Sequence, residues 1–109
     1  MISWNDFEKI DMRVGTILSV THFPKANQPA YKLTIDFGEA GIKKSSAQIT
    51  QLYSKEELEG KQVIAVVNFP PKQIADFLSE CLVLGVYNEN KEVILLQPTL
   101  PVKNGCKIG

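Results

Sequence analysis

The sequence predicts a small all-β protein, a single barrel of short strands, and three observations carry that expectation. Short apolar runs, some alternating and some continuous, recur along the chain, each bounded by Gly, Pro, Asn or Ser. Only two segments carry helix-capping residues, and both are short. At 109 residues the chain has the size of one domain with one core, so residues 1–109 are read as a single unit.

The first element is a short helix. Ser3 is placed to cap it, Asp6 follows three residues later at the positive helix end, and Trp4, Phe7 and Ile10 recur near helical spacing on one face. So short a helix is marginal alone and must dock on something. Residues 13–23 then read as a long strand in which Val14, Leu18 and Val20 favour one face and Ile17 falls out of phase, which suggests a bulge near Gly15. After the turn that follows His22, Tyr31, Leu33, Ile35 and Phe37 alternate with Lys32, Thr34 and Asp36, giving a half-buried strand with Lys32 outward. Residues 43–49 form a third strand of unusual polarity.

Ser54 and Glu57 make a second capping box, with Gly60 closing a helix between the third and fourth strands. The continuous run at residues 63–67 is that of a strand buried on both faces, so something must cover its outer side. Asn68, Phe69, Pro70, Pro71 and Lys72 break it; residues 81–86 and 93–96 resume the apolar pattern. Five or more short strands with a helix between the third and fourth is the order of an OB-fold, the five-stranded barrel whose face binds oligonucleotides. Such a barrel leaves both ends of this chain over, and residues 1–12 and 87–109 are expected to build an interface.

Composition narrows the function. Twelve Lys and Arg balance twelve Asp and Glu, so no whole-molecule field steers nucleic acid to the surface, and phosphate affinity would need a local cluster of cations. No apolar stretch is long enough to span a membrane, and the start of the chain has no secretory pattern, so a cytoplasmic location without membrane insertion is expected. Cys81 and Cys106 lack the spacing that holds zinc, and no phosphate loop, nucleophile elbow or metal-binding helix motif occurs. His22, the lone histidine, sits in a turn. No catalytic set, metal or cofactor is expected, and the chain reads as a binding module.

Several segments together resemble the tRNA-binding domain found at the C-terminus of many methionyl-tRNA synthetases, and in particular its stand-alone branch, the CsaA-type export-related chaperones. They are DFEKIDMRVGTI (6–17), PAYKLTIDFG (29–38), SSAQIT (45–50), VVNFPPKQIADFLSE (66–80) and VILLQP (93–98). The resemblance implies an OB-fold homodimer joined by the N-terminal helix and the C-terminal strands, with Trp4, Phe7 and Ile10 at that interface. It also implies two classes of partner: tRNA or structured RNA, and unfolded or export-bound polypeptides.

On the RNA-binding side, the resemblance assigns the ligand face to Lys32, Ser46, Asn68, Lys72, Ser79 and Glu80. The sequence departs from the family pattern where Cys81 and Leu82 replace a Gly-Met pair. Read as residues alone, Lys32, Lys43, Lys44 and Lys72 supply charges for phosphates, while Ser46 and Asn68 supply neutral hydrogen bonds. The polypeptide reading rests on Phe69, Pro71, Ile74 and Phe77, which gather apolar, rigid groups at the barrel mouth; the alternative is that they fill the core or a dimer interface. The leading expectation is a chaperone-like polypeptide binder linked to protein export on a tRNA-binding barrel, and the alternative is a stand-alone tRNA-binding factor acting in trans.

Overall fold

A computed structural model describes residues 1–109. Both capping boxes form. Ser3 Oγ accepts from Asp6 N at 3.2 Å and starts helix α1 (Trp4–Glu8), while Ser54 Oγ accepts from Glu57 N at 3.2 Å and starts helix α2 (Lys55–Leu58). Each box returns the acid to the cap backbone, Asp6 to Ser3 N and Glu57 to Ser54 N. Those bonds hold the Glu57 carboxyl below its ordinary range. The two helices then diverge, because Leu58 on α2 is fully buried and plugs the barrel, whereas α1 has no fully buried residue and only Phe7 is half-buried.

Strands β1 (Met12–His22), β2 (Tyr31–Asp36), β3 (Ile42–Ala47), β4 (Gln62–Val66) and β7 (Leu82–Val83) form one antiparallel sheet in the order β3-β2-β1-β4-β7. With α2 between β3 and β4, this is the OB arrangement the sequence predicts. Two hairpins attach to it, β5 (Lys72–Ile74) with β6 (Phe77–Ser79), and β8 (Gly85–Tyr87) with β9 (Val93–Leu95). The core is the inner face of the barrel, where the alternating residues of β2 are buried together with Ile17, Val20, Val63 and Ala65.

The bulge in β1 is displaced from its expected place. The register with β2 slips between Ile17 and Ser19, so Leu18 is the extra residue and points to solvent, 49% exposed, while Ile17 enters the core at 1%. Val14, Leu18 and Val20 therefore do not share a face. Gly15 has a different role: a Cβ there would lie 2.6 Å from the Phe37 ring, so the strand passes too close to the core for any side chain.

A second departure concerns residues 72–79. No element is expected from the sequence over this stretch, which is the β5–β6 hairpin, turned through Ala75 at φ 52°. The continuous apolar run at 81–86 is likewise split into β7 and β8.

The run at residues 63–67 is not buried on both faces, because Ile64 and Val67 are only half-buried; the C-terminal segment instead pairs with the first half of β1. Val14 N donates to Cys106 O at 3.0 Å, Gly105 N to Val14 O at 2.8 Å and Ile108 N to Met12 O at 2.9 Å, so residues 105–108 run beside the first half of β1. Arg13 seals that contact by donating to Asp11 Oδ1 at 2.7 Å and to Gly105 O at 3.0 Å. Its bond to Asp11 also raises the guanidinium pKa further. Val14 and Val66 are buried as well, outside the main core cluster.

Candidate ligand groove

Strand β3 positions the site. Its outward residues Lys44, Ser46 and Gln48 alternate with core residues Ser45, Ala47 and Ile49. Beyond its free edge the β5–β6 hairpin stands across a groove of about 340 Å³, lined by Ser46 and Gln48 on one side, Phe69, Pro70, Lys72 and Ile74 on the other, and Ser79 to Leu82 at the floor. Past Leu82 the groove continues into a second depression of about 370 Å³ between Ser46–Ile49 and Leu82–Gly85, closed at its far end by Tyr87 and Val93. Ser46, Gln48 and Leu82 border both.

The groove is mixed in chemistry. Phe69 is 55% exposed, and Leu82 is also open to solvent, so both present apolar surface in a concave setting. Lys72 on the rim supplies a cation, and the Gln48 carboxamide and Ser46 hydroxyl supply neutral polar groups. Burial pushes the Cys81 thiol up to about 11, so it stays protonated near neutral pH and offers no nucleophile to the groove. Position 81 does not depend on glycine: the only non-glycine residues with positive φ are Ala75 and Lys91, so Cys81 sits in ordinary backbone. The exchange of Gly-Met for Cys-Leu is accommodated without strain.

The structure divides the residues expected on the RNA face. Ser46, Lys72, Ser79 and Glu80 meet in the groove. Ser79 and Glu80, however, spend their side chains on closing the barrel: Ser79 Oγ accepts from Ser46 N at 3.1 Å, Glu80 Oε1 accepts from Lys44 N at 2.9 Å, and Glu80 N donates to Lys44 O at 2.7 Å. Lys32 and Lys44 lie on the outer face of the sheet, opposite Ser46 and Thr34 respectively. Lys43 pairs with Ile35 and so has the opposite orientation; the two adjacent lysines cannot serve one face.

Lys32 is held in place by aromatic rings, its Nζ 4.8 Å from the Phe23 centroid and 5.4 Å from that of Phe77. Beside it Lys25 Nζ donates to Asp76 Oδ2 at 2.9 Å, which holds the Asp76 carboxyl below its usual range. Asn68 points away from the groove and is bonded to the chain that follows α1, accepting from Asp11 N at 3.0 Å and donating to Lys9 O at 2.8 Å.

The polypeptide set divides as well. Phe69 and Ile74 line the groove, with Pro71 in the segment between them. Phe77 does not: at 9% exposure it packs edge-on against Phe23, with centroids 5.4 Å apart, in a small second core with Ala30. Its expected place on the binding surface is corrected to the core beneath the hairpin. Gln48 is the lining residue that sequence reasoning missed, although counting two residues on from Ser46 along a strand finds it. Outside the groove, Trp4 is 83% exposed, and Phe7, half-buried, borders a hollow with Ile2, Ser3 and Gly109.

A five-stranded antiparallel barrel plugged by a helix between its third and fourth strands, with an open groove along the free edge of the third, is a binding barrel of the OB class. Residues 12–107 match the family described as "Putative tRNA binding domain", and the chain belongs to that family. Among solved structures, the chaperone CsaA of Bacillus anthracis superposes with a TM-score of 0.95 at 51% identity, covering 100% of this chain and 99% of that one. The CsaA chaperone protein of Picrophilus torridus gives 0.94 at 56% identity, with both chains fully covered. The methionine–tRNA ligase of Nanoarchaeum equitans is 38% identical over 108 residues, which are 99% of this chain and 14% of that protein. The chain thus spans about a seventh of the length of that ligase.

Proposed function

We propose that this protein is a non-catalytic, cytoplasmic homodimeric binding module that captures unfolded or export-bound polypeptides in the β3–β5 groove. The observation that carries the reading is the groove itself, in which exposed Phe69 and Leu82 and half-buried Ile74 lie within one concavity with a single rim cation, Lys72. An extended polypeptide suits such a trough, because apolar side chains enter it while the rigid Pro70 and Pro71 wall loses little entropy on binding. The names of the CsaA neighbours favour a chaperone role, and protein export is the process in which we place it.

A second reading, tRNA binding in trans, is favoured by the family match and by the row of Lys32, Lys44 and Lys72 around the outer face and rim. The dimer joins the surface of exposed Trp4 and Ile10 and half-buried Phe7 of one copy to its counterpart. Two titrations separate the ligands, one with a permanently unfolded, reduced and alkylated polypeptide and one with a tRNA pool, each repeated across salt concentrations. Polypeptide capture is expected to persist at moderate salt and to weaken about tenfold in Phe69→Ala. RNA binding is expected to fall linearly in log salt, with Lys72→Ala lowering the slope by about 0.7–0.9. Polypeptide affinity untouched by Phe69→Ala refutes the groove as the capture site.

A further inference from the structure

We infer that an unfolded polypeptide is held in the groove by main-chain hydrogen bonds to the open end of β3, at the backbone of Ser46 and Gln48, so that it adds a short strand to the barrel; this deepens the capture reading above and rests on it. The direction of the backbone groups follows from the bonds already made there. Lys44 N donates to Glu80 Oε1 at 2.9 Å and Ser46 N to Ser79 Oγ at 3.1 Å, so the even-numbered residues of β3 turn their N–H and C=O away from β2. Gln48 continues the series, since buried Ala47 and Ile49 flank it on the inner face while its own side chain is exposed. The side-chain closure stops at Ser46: no backbone group elsewhere in the chain bonds Gln48 N or Gln48 O. Ser46 O, Gln48 N and Gln48 O therefore offer an acceptor, a donor and an acceptor in line, along the depression between Ser46–Ile49 and Leu82–Gly85.

The opposite bank is built the same way. Leu84 N donates to Ile64 O at 2.9 Å on β4, so Val83, one residue earlier, turns its own N–H and C=O from β4 toward the depression. The space of about 370 Å³ is thus a slot between two backbone edges, and an extended main chain is the ligand whose donors and acceptors alternate at the spacing such edges present. Only an unfolded chain has those groups to offer, because about nine in ten or more of the buried ones in a folded protein are already paired. A strand added to β3 places every second side chain on the outer face, beside exposed Leu82 and Phe69. Recognition then rests on atoms that every polypeptide shares, and the apolar wall adds a preference for chains rich in apolar residues.

The test compares Gln48→Ala, which keeps the backbone donor, with Gln48→Pro, which removes it at a position whose preceding residue, Ala47, is already extended. Affinity for a permanently unfolded, reduced and alkylated polypeptide is expected to stay within about twofold of the parent in Gln48→Ala and to fall about tenfold in Gln48→Pro. The melting temperature should shift by only a few degrees in either, because the Gln48 N–H bonds no backbone group in the free protein. In the parent, exchange of the Gln48 amide should slow about tenfold or more at saturating polypeptide. Equal affinity in Gln48→Pro and the parent overturns main-chain capture, and leaves the groove standing where Phe69→Ala still weakens binding. An equal loss in both variants moves the contact to the carboxamide side chain and overturns it too. Should Gln48→Pro fail to fold, the exchange rate decides alone: a Gln48 amide that polypeptide leaves unprotected, or that only tRNA protects, refutes the added strand. A protein that binds no unfolded polypeptide at all refutes the groove reading and this inference together.

Discussion

Toward β2, strand β3 is held by six registered backbone pairs, from Tyr31 with Ala47 to Asp36 with Ile42; toward β7 it is held almost entirely by side chains. Ser45 Oγ donates to Cys81 O at 2.8 Å, Ser79 Oγ takes Ser46 N, and the Glu80 carboxylate takes Lys44 N. The contrast teaches why the groove exists. A backbone ladder at the second edge would bring β7 to strand spacing along its whole length and fill the concavity. Short polar side chains close the barrel at its base and leave the upper part of the seam open beside Gln48, Phe69 and Leu82. They also satisfy the free edge, which otherwise presents bare N–H and C=O groups to any passing strand.

Substitutions on the two sides should separate by size. The largest effect is expected on the laddered side, where Phe37→Ala empties a fully buried site and should cost about 3–5 kcal/mol by denaturant unfolding. A loss below about 1 kcal/mol would mean that the core there is not close-packed. Next is the alkaline limb of stability. The folded Cys81 thiol, at about 11, lies above its ordinary value of 9.0, so the folded state holds this proton more tightly. Its contribution is complete below pH 9 and is lost as pH rises toward 11, by up to about 3 kcal/mol. Cys81→Ala should flatten that part of the pH–stability curve, and an identical alkaline slope in both proteins would show that the thiol is not desolvated.

On the seam itself, Ser45→Ala leaves the Cys81 carbonyl without its partner in a buried place and should cost about 1–3 kcal/mol. Ser79→Ala, more exposed, should cost about 0.5–1.5 kcal/mol. A negligible cost for both would overturn side-chain closure of the barrel. Smallest of all, Phe69→Ala should change stability by no more than about 0.5 kcal/mol, because the ring is mostly in water, while weakening polypeptide capture. Unfolding of that variant would move Phe69 from the groove to the core.

Much of the laddered side is legible in the sequence and little of the seam is. The alternation from Tyr31 to Phe37, the two capping boxes and the helix between the third and fourth strands are local signals, each decided by a few adjacent residues. The bulge is not: Leu18 and Ile17 are both apolar, and only the register against β2 decides which of them turns outward. The β5–β6 hairpin is hidden for another reason. Its strands have three residues each, too few for a period, and its turn puts Ala75, a residue without turn preference, in a left-handed conformation.

The candidate site follows the same division. Ser46 and Lys72 are found from the family pattern, and Gln48 lies within reach of simple strand counting. The different fates of Asn68, Ser79 and Glu80 depend on which distant backbone groups they meet: Asp11, Ser46 and Lys44, at least 33 positions away in each case. Phe77 and Phe69 are equally apolar in sequence, and only the placement of the hairpin over Phe23 buries one and exposes the other.

Ligand binding in the open half of the seam can be followed residue by residue by titrating isotope-labelled protein with a permanently unfolded polypeptide and recording the backbone amide resonances. Perturbations are expected to concentrate at Ser46, Gln48, Phe69, Lys72, Ile74 and Leu82, with the amides of Leu33, Ile35 and Val63 undisturbed. Perturbations confined to the outer face around Lys32, Thr34 and Lys44, or to the terminal segments, would contradict it.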